Sequence, residues 1–435
     1  MPAQKPREIA VRVLQRREKG ADYVENLLEA ELGPLGGPDR GLCQELVYGV
    51  VRWQATLDWL ITRKTEGRVQ KTALQILLRL GLYQMFWLDR IPDHAAVNEM
   101  VELARQLGFG AQSGFVNALL RGYSRERDET RKRLEELKTS QASLGYSHPD
   151  WLCQRWQQRW DQANLRQLLE WNNTPPRIYA RVNTLKTNAG KLLEQWRIEN
   201  VEYDIFRRDW TGENLVFELK SHPPLDGLPS FQQGLFYVQD PGTLLAVHEL
   251  NPQPGETILD LCAAPGGKAT YIAQLMQNQG RLVAEDLNRI RLELLKENCE
   301  RMGVTCVESV CNTGIAVPEL TAQVDRVLVD APCSNTGVMR RRVDLRWRIR
   351  PEEIDRLRVA QLELLHDAAL QTKPGGVLVY STCSLEPEEN GGVVKQFLAD
   401  HREFRLENER ELLPFHDGVD GAYVATFKRT PDARV

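Results

Sequence analysis

The chain has 435 residues, 42% hydrophobic and 27% charged, enough to build large cores in two or three domains. Its net charge of −4 excludes general electrostatic adhesion to nucleic acid, so any such affinity has to reside in local basic patches. The opening MPAQKPREIAVRVLQRREKG lacks an apolar signal-type core and no run of about 18 apolar residues occurs, which predicts a cytoplasmic protein with no membrane contact.

Residues 1–140 read as helices only. In LCQELVYGVVRWQATLDWLI the positions Leu42, Leu46, Val50, Leu57 and Ile61 follow helical spacing, and ALQILLRLGLYQMFWL repeats the pattern through Leu74, Leu77, Leu78 and Leu82. A further helix is predicted to start with Asp93 as its N-cap and to turn Val97, Val101 and Ala104 inward. The charged RERDETRKRLEELKTSQAS, residues 125–143, reads as a solvated helix or linker at the boundary.

Residues 141–230 change character. A Trp-rich helix, HPDWLCQRWQQRW, is followed by the turn NNTPP, a strand RIYARVN and a helix around AGKLLEQWRI, so a small α+β domain is predicted. In that strand Arg177, Tyr179 and Arg181 share one face, which suits stacking and pairing with single-stranded RNA as well as it suits plain solvation.

From residue 231 to 430 strand and helix alternate. ETILDLCAAPGG, RLVAEDL, RVLVDAPC and GGVLVYSTC are short apolar runs, each followed by a loop or helix signal, as a parallel sheet covered on both faces requires. The prediction is a doubly wound, Rossmann-like α/β domain.

DLCAAPGGKAT, residues 260–270, sets a small-residue loop between the first of these strands and a helix. Gly266 and Gly267 permit a sharp turn, and the helix start offers N–H groups to an anion. A phosphate-binding P-loop fails at two positions, since Cys262 stands at its first Gly and Ala269 at its Ser or Thr. The next strand ends at Asp286, 26 residues after Asp260, the spacing of an acid that binds ribose hydroxyls. The cofactor is a dinucleotide or S-adenosylmethionine, and the missing G-x-G-x-x-G disfavours the dinucleotide.

The cysteines at positions 43, 153, 262, 299, 306, 311, 333 and 383 are too sparse for a disulfide framework, no C-x-x-C pair suggests zinc, and most read as small buried hydrophobes. Cys333 and Cys383 differ. Each lies just past the end of a strand, where ligands bind in open α/β sheets, so both are predicted to face the cofactor cleft. A methyltransferase needs a thiol there if its target is carbon 5 of a pyrimidine, a poor nucleophile until a thiolate adds to carbon 6. Asp330 is placed to hydrogen-bond the base edge. Pro387 suggests that Cys383 precedes a helix whose dipole would favour thiolate, against Glu386, Glu388 and Glu389. Between the two cysteines, RRRVDLRWRIR gathers Arg340, Arg341, Arg342, Arg346, Arg348 and Arg350 around Trp347 and reads as a grip on a phosphate backbone.

DLCAAPGGKAT, DAPCSNTG and VYSTCS resemble the signature motifs of the Nop/Sun family of RNA cytosine carbon-5 methyltransferases. The whole chain is similar to the bacterial 16S ribosomal RNA branch of that family, the RsmB/Fmu/Sun type with a NusB-like amino-terminal bundle. The resemblance implies a multidomain protein: a NusB-like helical RNA-binding domain (1–140), a small α+β RNA-binding domain (141–230) and a class I methyltransferase domain (231–430). It implies S-adenosyl-L-methionine as cofactor, a flipped or single-stranded cytidine of 16S rRNA as substrate, and a monomer. Cys383 is then the nucleophile, Cys333 assists product release and Asp330 completes the catalytic set. Cofactor contacts are implied for Cys262, Ala263, Ala264, Pro265, Gly266, Gly267, Lys268, Asp286, Asn312 and Asp330. Two departures from the family pattern stand out: Asn335 replaces a Gly in the usual PCSGTG, implying another loop conformation, and Asn312 in VCNTG stands for an Asp near the adenine. The alternatives are a transfer RNA substrate, or an RNA-binding factor with a vestigial methyltransferase domain.

Overall fold

The computed structural model describes residues 6–33, 35–311 and 323–431. The chain divides into two compact units, Met1–Thr174 with Met339–Arg348, and Pro175–Val338 with Ile349–Val435. Among the described residues no helix is long and apolar enough to cross a membrane.

The first unit is helical. Thr72–Trp87 carries buried residues all round, among them Ile76, Leu78, Leu80 and Leu82, and is therefore its central helix. The apolar run over residues 42–61 is not one helix: it divides at Trp53 into Gly37–Arg52 and Gln54–Thr65. Asp93 is not an N-cap. Pro92 holds that position, and the Asp93 carboxylate accepts instead from Ser124 Oγ at 2.9 Å and from Arg127. Arg127–Ser140 buries only Thr130 and Leu137, as a solvated helix should.

The arginine-rich segment corrects the phosphate-grip reading for three of its members. Residues 339–348 belong to the helical unit, where Val343 joins the apolar core. The buried Arg340 lies 4.0 Å from the Trp171 ring centroid, and Arg346, fully buried, donates to Asn173 Oδ1 at 2.8 Å and to the Asn172 carbonyl at 2.9 Å. Arg348 caps the carbonyls of Ala21 and Asp22 at 2.9 and 2.7 Å. These guanidiniums are consumed by protein groups because a buried donor without a partner is costly. Asp344 anchors the segment. Fully buried, it accepts from Arg17 Nε at 2.7 Å, the Val24 N–H at 3.1 Å and Arg348 Nε at 2.8 Å. Asp344→Ala takes the buried acceptor from Arg17 Nε, leaving that guanidinium only Glu18 at 3.2 Å as a carboxylate partner, and an unfolding titration is expected to show a loss of about 3 kcal/mol.

The second unit holds two sheets. Strands β1 (Ile178–Val182), β2 (Glu202–Phe206), β3 (Val216–Ser221) and β4 (Phe236–Val238) form an antiparallel sheet in the order β2-β3-β1-β4, its last strand lying past the residue 230 at which the sequence reading ends this domain. Ala180 and Val182 pack with Trp196, Phe217 and Phe236 on one face. The other face of β1 is no open RNA platform. Tyr179 and Arg181 are buried, and only Arg177 of the three is exposed, reaching Glu218 at 3.4 Å.

Strands β5 (Thr257–Leu261), β6 (Arg281–Asp286), β7 (Val307–Cys311), β8 (Val324–Asp330), β9 (Thr372–Thr382), β10 (Phe404–Leu412) and β11 (Ala422–Arg429) form the large sheet, ordered β10-β11-β9-β8-β5-β6-β7. The pairs from β9 to β7 are parallel, while β11 is antiparallel to both β9 and β10. Side chains alternate between two cores: Ile258, Leu328, Val377 and Val379 enter one, Leu259, Val327, Val329, Leu378 and Tyr380 the other. This two-sided burial explains the near-continuous apolar strands. The strand order reverses between β5 and β8, so a crevice opens at their carboxyl ends.

Candidate active site

The β5 end and the loop after it build one wall of the crevice. Cys262 takes φ +64 and Gly266 φ +103, so the left-handed turn is shared between them, and the helix Gly267–Leu275 begins immediately afterwards. Asp286, at the end of β6, braces this loop: its carboxylate accepts from the Ala264 N–H at 3.2 Å and the Asn288 N–H at 2.9 Å, with Arg291 at 3.4 Å. Arg181 reaches the same helix from β1. It donates to the Gly267 carbonyl at 3.0 Å, Thr270 Oγ1 at 3.1 Å and Gln239 Oε1 at 2.9 Å, with its guanidinium near the rings of Tyr237 and Tyr271. The supposed RNA-facing arginine is thus a brace for the cofactor loop.

A cavity of about 230 Å³ lies against this loop, lined by Asp260, Cys262, Gly267, Lys268, Asp330 and Tyr237, with their neighbours. Lys268 Nζ donates to Asp330 Oδ2 at 2.7 Å, and Ser381 Oγ donates to the other oxygen at 2.8 Å. Burial opposes the charge on Lys268, but Asp330 and then Asp260 outweigh it and hold its pKa above the usual lysine value. Burial, reinforced by Asp330, Asp286 and Asp260, pushes the Cys262 thiol up to about 12, so Cys262 stays protonated and lines the wall without reacting.

Asp260 is the unexpected member. It is fully buried, and neither carboxyl oxygen has a hydrogen-bond partner. Burial first, then the Asp330 charge, push its pKa well above the ordinary carboxylate range. The folded state therefore binds its proton more tightly than the unfolded chain does. This contribution is complete below the ordinary aspartate value and lost as pH rises through the raised one. Asp260→Asn is expected to remove that loss. Its stability relative to wild type should climb as pH rises above the ordinary aspartate value in ligand-free denaturant titrations, whereas parallel curves would show that ionisation there does not oppose folding.

Orphaned buried carboxyl oxygens beside a lysine fit the cofactor that the motifs imply. S-adenosylmethionine brings a sulfonium and an ammonium for carboxylates, and a carboxylate for a cation. Asp260, Asp330 and Lys268 supply that donor set. Asn312 lies outside the described residues.

Strands β8 and β9 are parallel neighbours whose ends lead to the two cysteines; Asp330 of β8 lines the cavity, whereas neither cysteine is among its lining residues. Cys333 Sγ and Cys383 Sγ are 3.3 Å apart, and the Cys383 N–H points at Cys333 Sγ at 3.4 Å. None of the eight cysteines forms a disulfide. The hydrogen bond with Cys383 and then burial push Cys333 well above the usual thiol value. Cys383 lies close enough to Lys268 for their charges to interact. Asn335 takes φ +58, a region open to glycine and more accessible to asparagine than to most residues, which is how the chain tolerates it in place of glycine. Its side chain accepts from Cys383 Sγ at 3.1 Å and donates to the Cys333 carbonyl at 2.6 Å. Cys383 does not sit at a helix start as Pro387 suggested. The next helix is Gly391–Asp400, and residues 384–390 form a loop instead.

The comparisons with known proteins agree with this geometry. Residues 247–428 match the family model for the 16S rRNA methyltransferase RsmB/F, residues 4–125 the NusB family, and residues 148–208 the RsmF/B-like ferredoxin-like domain. The chain is 36% identical to the probable ribosomal RNA small subunit methyltransferase B of Synechocystis, over 97% of this chain and 99% of that protein. Its identity to the Bacillus subtilis protein of the same description is 33%, over 97% and 98%. Among solved structures it resembles that of PH0851, with a TM-score of 0.78 and 25% identity, covering 98% of this chain and 99% of that one. With such relatives along nearly its whole length and a cleft suited to the cofactor, the chain belongs to the ribosomal RNA small subunit methyltransferase B family and is an S-adenosyl-L-methionine-dependent methyltransferase.

Proposed function

We propose that the protein methylates carbon 5 of a cytidine in small-subunit ribosomal RNA, with Cys383 as nucleophile and Cys333 as the residue that assists release. The observation that carries this reading is the pair of sulfurs 3.3 Å apart just past the ends of the neighbouring strands β8 and β9, the first of which ends in the cavity-lining Asp330. An enzyme acting on an exocyclic amino group has no use for two thiols at one cleft. The ribosomal substrate is supported by the names of the relatives from Synechocystis and Bacillus subtilis.

Bound in the cavity, the cofactor supplies an electrophilic methyl group. The Cys383 thiolate adds to carbon 6 of the base, and the ring electrons move so that carbon 5 becomes nucleophilic. Asp330, held by Lys268 and Ser381, accepts a hydrogen bond from the base's amino group as ring nitrogen 3 takes up a proton from water, which it returns when the sulfur is expelled. After methylation the carbon-5 proton leaves to solvent, the carbon–sulfur bond breaks, and the Cys333 thiol hydrogen-bonds the departing Cys383 sulfur.

Incubation with methyl-labelled cofactor and either small-subunit ribosomal RNA or transfer RNA, followed by nucleoside digestion, tests the reading. Label in 5-methylcytidine from ribosomal RNA is expected. Label in another nucleoside would overturn the carbon-5 assignment, and label in transfer RNA alone would overturn the substrate.

A further inference from the structure

The two cysteine loops are not joined through the cysteines alone. Beneath them lies Glu389, fully buried, whose carboxylate collects donors from both loops. Oε1 accepts from the Ser334 N–H at 2.8 Å and from Gln361 Nε2 at 2.9 Å, while Oε2 accepts from Ser384 Oγ at 2.5 Å and from Ser334 Oγ. Ser334 follows Cys333, Ser384 follows Cys383, and their hydroxyls are 3.0 Å apart. Gln361 extends the web to the Pro332 carbonyl at 2.9 Å. Asn390, the next residue, holds the Ser384 carbonyl at 2.9 Å and Thr382 Oγ1 at 2.7 Å. Each residue following a cysteine is therefore fastened to one carboxylate, and the sulfurs inherit their separation from it.

We propose that Glu389 is a positioning residue for the reaction: through Ser334 and Ser384 it locks the Cys333 and Cys383 loops in a single arrangement and so keeps the two sulfurs in contact. The inference rests on the cysteine mechanism proposed above. Glu389 contacts neither cysteine sulfur in this network and acts only through the serines. Its charge has a second consequence, because it is among the groups that push Cys333 upward and keep that sulfur a thiol while Cys383 attacks. Burial pushes Glu389 itself upward, and the donors from Ser334 and Ser384 pull it back. A carboxylate that receives this many hydrogen bonds is geometrically fixed, and fixed supports are what hold reactive groups within a fraction of an ångström.

The test uses the full-length Glu389→Gln and Glu389→Asp proteins. The amide must present an N–H where Oε2 or Oε1 now accepts, and the shorter acid cannot reach both loops. Cofactor binding is expected to stay near wild type in Glu389→Gln and the unfolding midpoint to fall without loss of the fold, because the amide N–H faces other donors, while single-turnover methyl transfer falls by about 100-fold, the scale of a 1 Å misplacement. Iodoacetamide should then modify Cys333 more readily, because losing the negative charge that pushes this thiol upward raises its thiolate fraction. A folded Glu389→Gln protein with wild-type turnover and unchanged Cys333 alkylation overturns the proposal. Should the Glu389 variants not fold, Ser384→Ala removes the side-chain tie of the Cys383 loop while the Ser334 N–H still holds the Cys333 loop, and wild-type turnover in a folded Ser384→Ala protein overturns it equally. Cys383→Ala run alongside separates the two readings: full activity there overturns the cysteine mechanism, whereas its inactivity beside a fully active Glu389→Gln overturns only the role of Glu389.

Discussion

Cys383→Ala is expected to abolish methyl transfer, by roughly four to six orders of magnitude, the scale seen when a nucleophile is deleted from an acyl-transfer enzyme. Without the sulfur there is no adduct at carbon 6, and carbon 5 remains too weak a nucleophile to attack a methyl group. Cys333→Ala is expected to behave differently. The nucleophile is intact, but the thiol 3.3 Å away that stabilises the departing sulfur is gone. The covalent protein–RNA species should therefore accumulate, visible as a retarded band in denaturing electrophoresis with small-subunit ribosomal RNA and S-adenosylmethionine. A band in Cys383→Ala and none in Cys333→Ala would exchange the two roles. No band in either, with no methyl incorporation by wild type, would point to transfer RNA as the substrate or to a binding factor.

Gly337→Ala is expected to slow turnover strongly without touching a reacting atom. A Cβ there would lie 2.7 Å from the Cys383 carbonyl and 2.8 Å from the Gly421 Cα. These are backbone atoms that cannot swing aside, and the Gly337 N–H already donates to the Cys383 carbonyl at 2.9 Å, while the Gly421 N–H donates to the Gly337 carbonyl at 2.9 Å. Three chain segments must part to admit one methyl group. Turnover should fall by about 100-fold through displacement of Cys383, and denaturant titration should show a loss of about 1–3 kcal/mol from overpacking. Normal turnover would show that the Cys383 loop tolerates this displacement. Gly421→Ala probes the same approach from the other side, its Cβ falling 2.7 Å from the Gly337 Cα.

Much of the second unit was legible because its signals are local. The runs ending in Asp286, Asp330 and Thr382 became β6, β8 and β9, and two strands that end alike placed Cys333 and Cys383 on one edge. What escaped were partners distant in the chain. Composition shows that Arg340, Arg346 and Arg348 are cations, but the Trp171 ring and the carbonyls of Asn172 and Asp22 that take them lie far away in sequence. Strand periodicity grouped Tyr179 with Arg181, yet it cannot tell water from a second packed element, here the helix behind Gly267. Glu389 was read as a charge working against the Cys383 thiolate because its neighbour Ser384 is visible in the motif, whereas Ser334 is 55 residues away. Asp260 marked a spacing and nothing more, since desolvation has no sequence signature.

The anchoring of residues 339–348 in the helical unit bears on how the protein is made. Arg17 and its partner Asp344 are 327 residues apart, so the first helix leaves the ribosome long before the carboxylate that neutralises it exists. At bacterial-to-eukaryotic elongation rates of about 5–20 residues per second, that wait lasts roughly 15–65 seconds. During it the nascent bundle lacks the buried acceptor for Arg17 Nε and has an unfilled place for Val343 and Trp347 in its core. The amino-terminal unit therefore reaches its final form only after most of the catalytic sheet has been synthesised, and a fragment ending at residue 174 would be permanently arrested at the earlier stage.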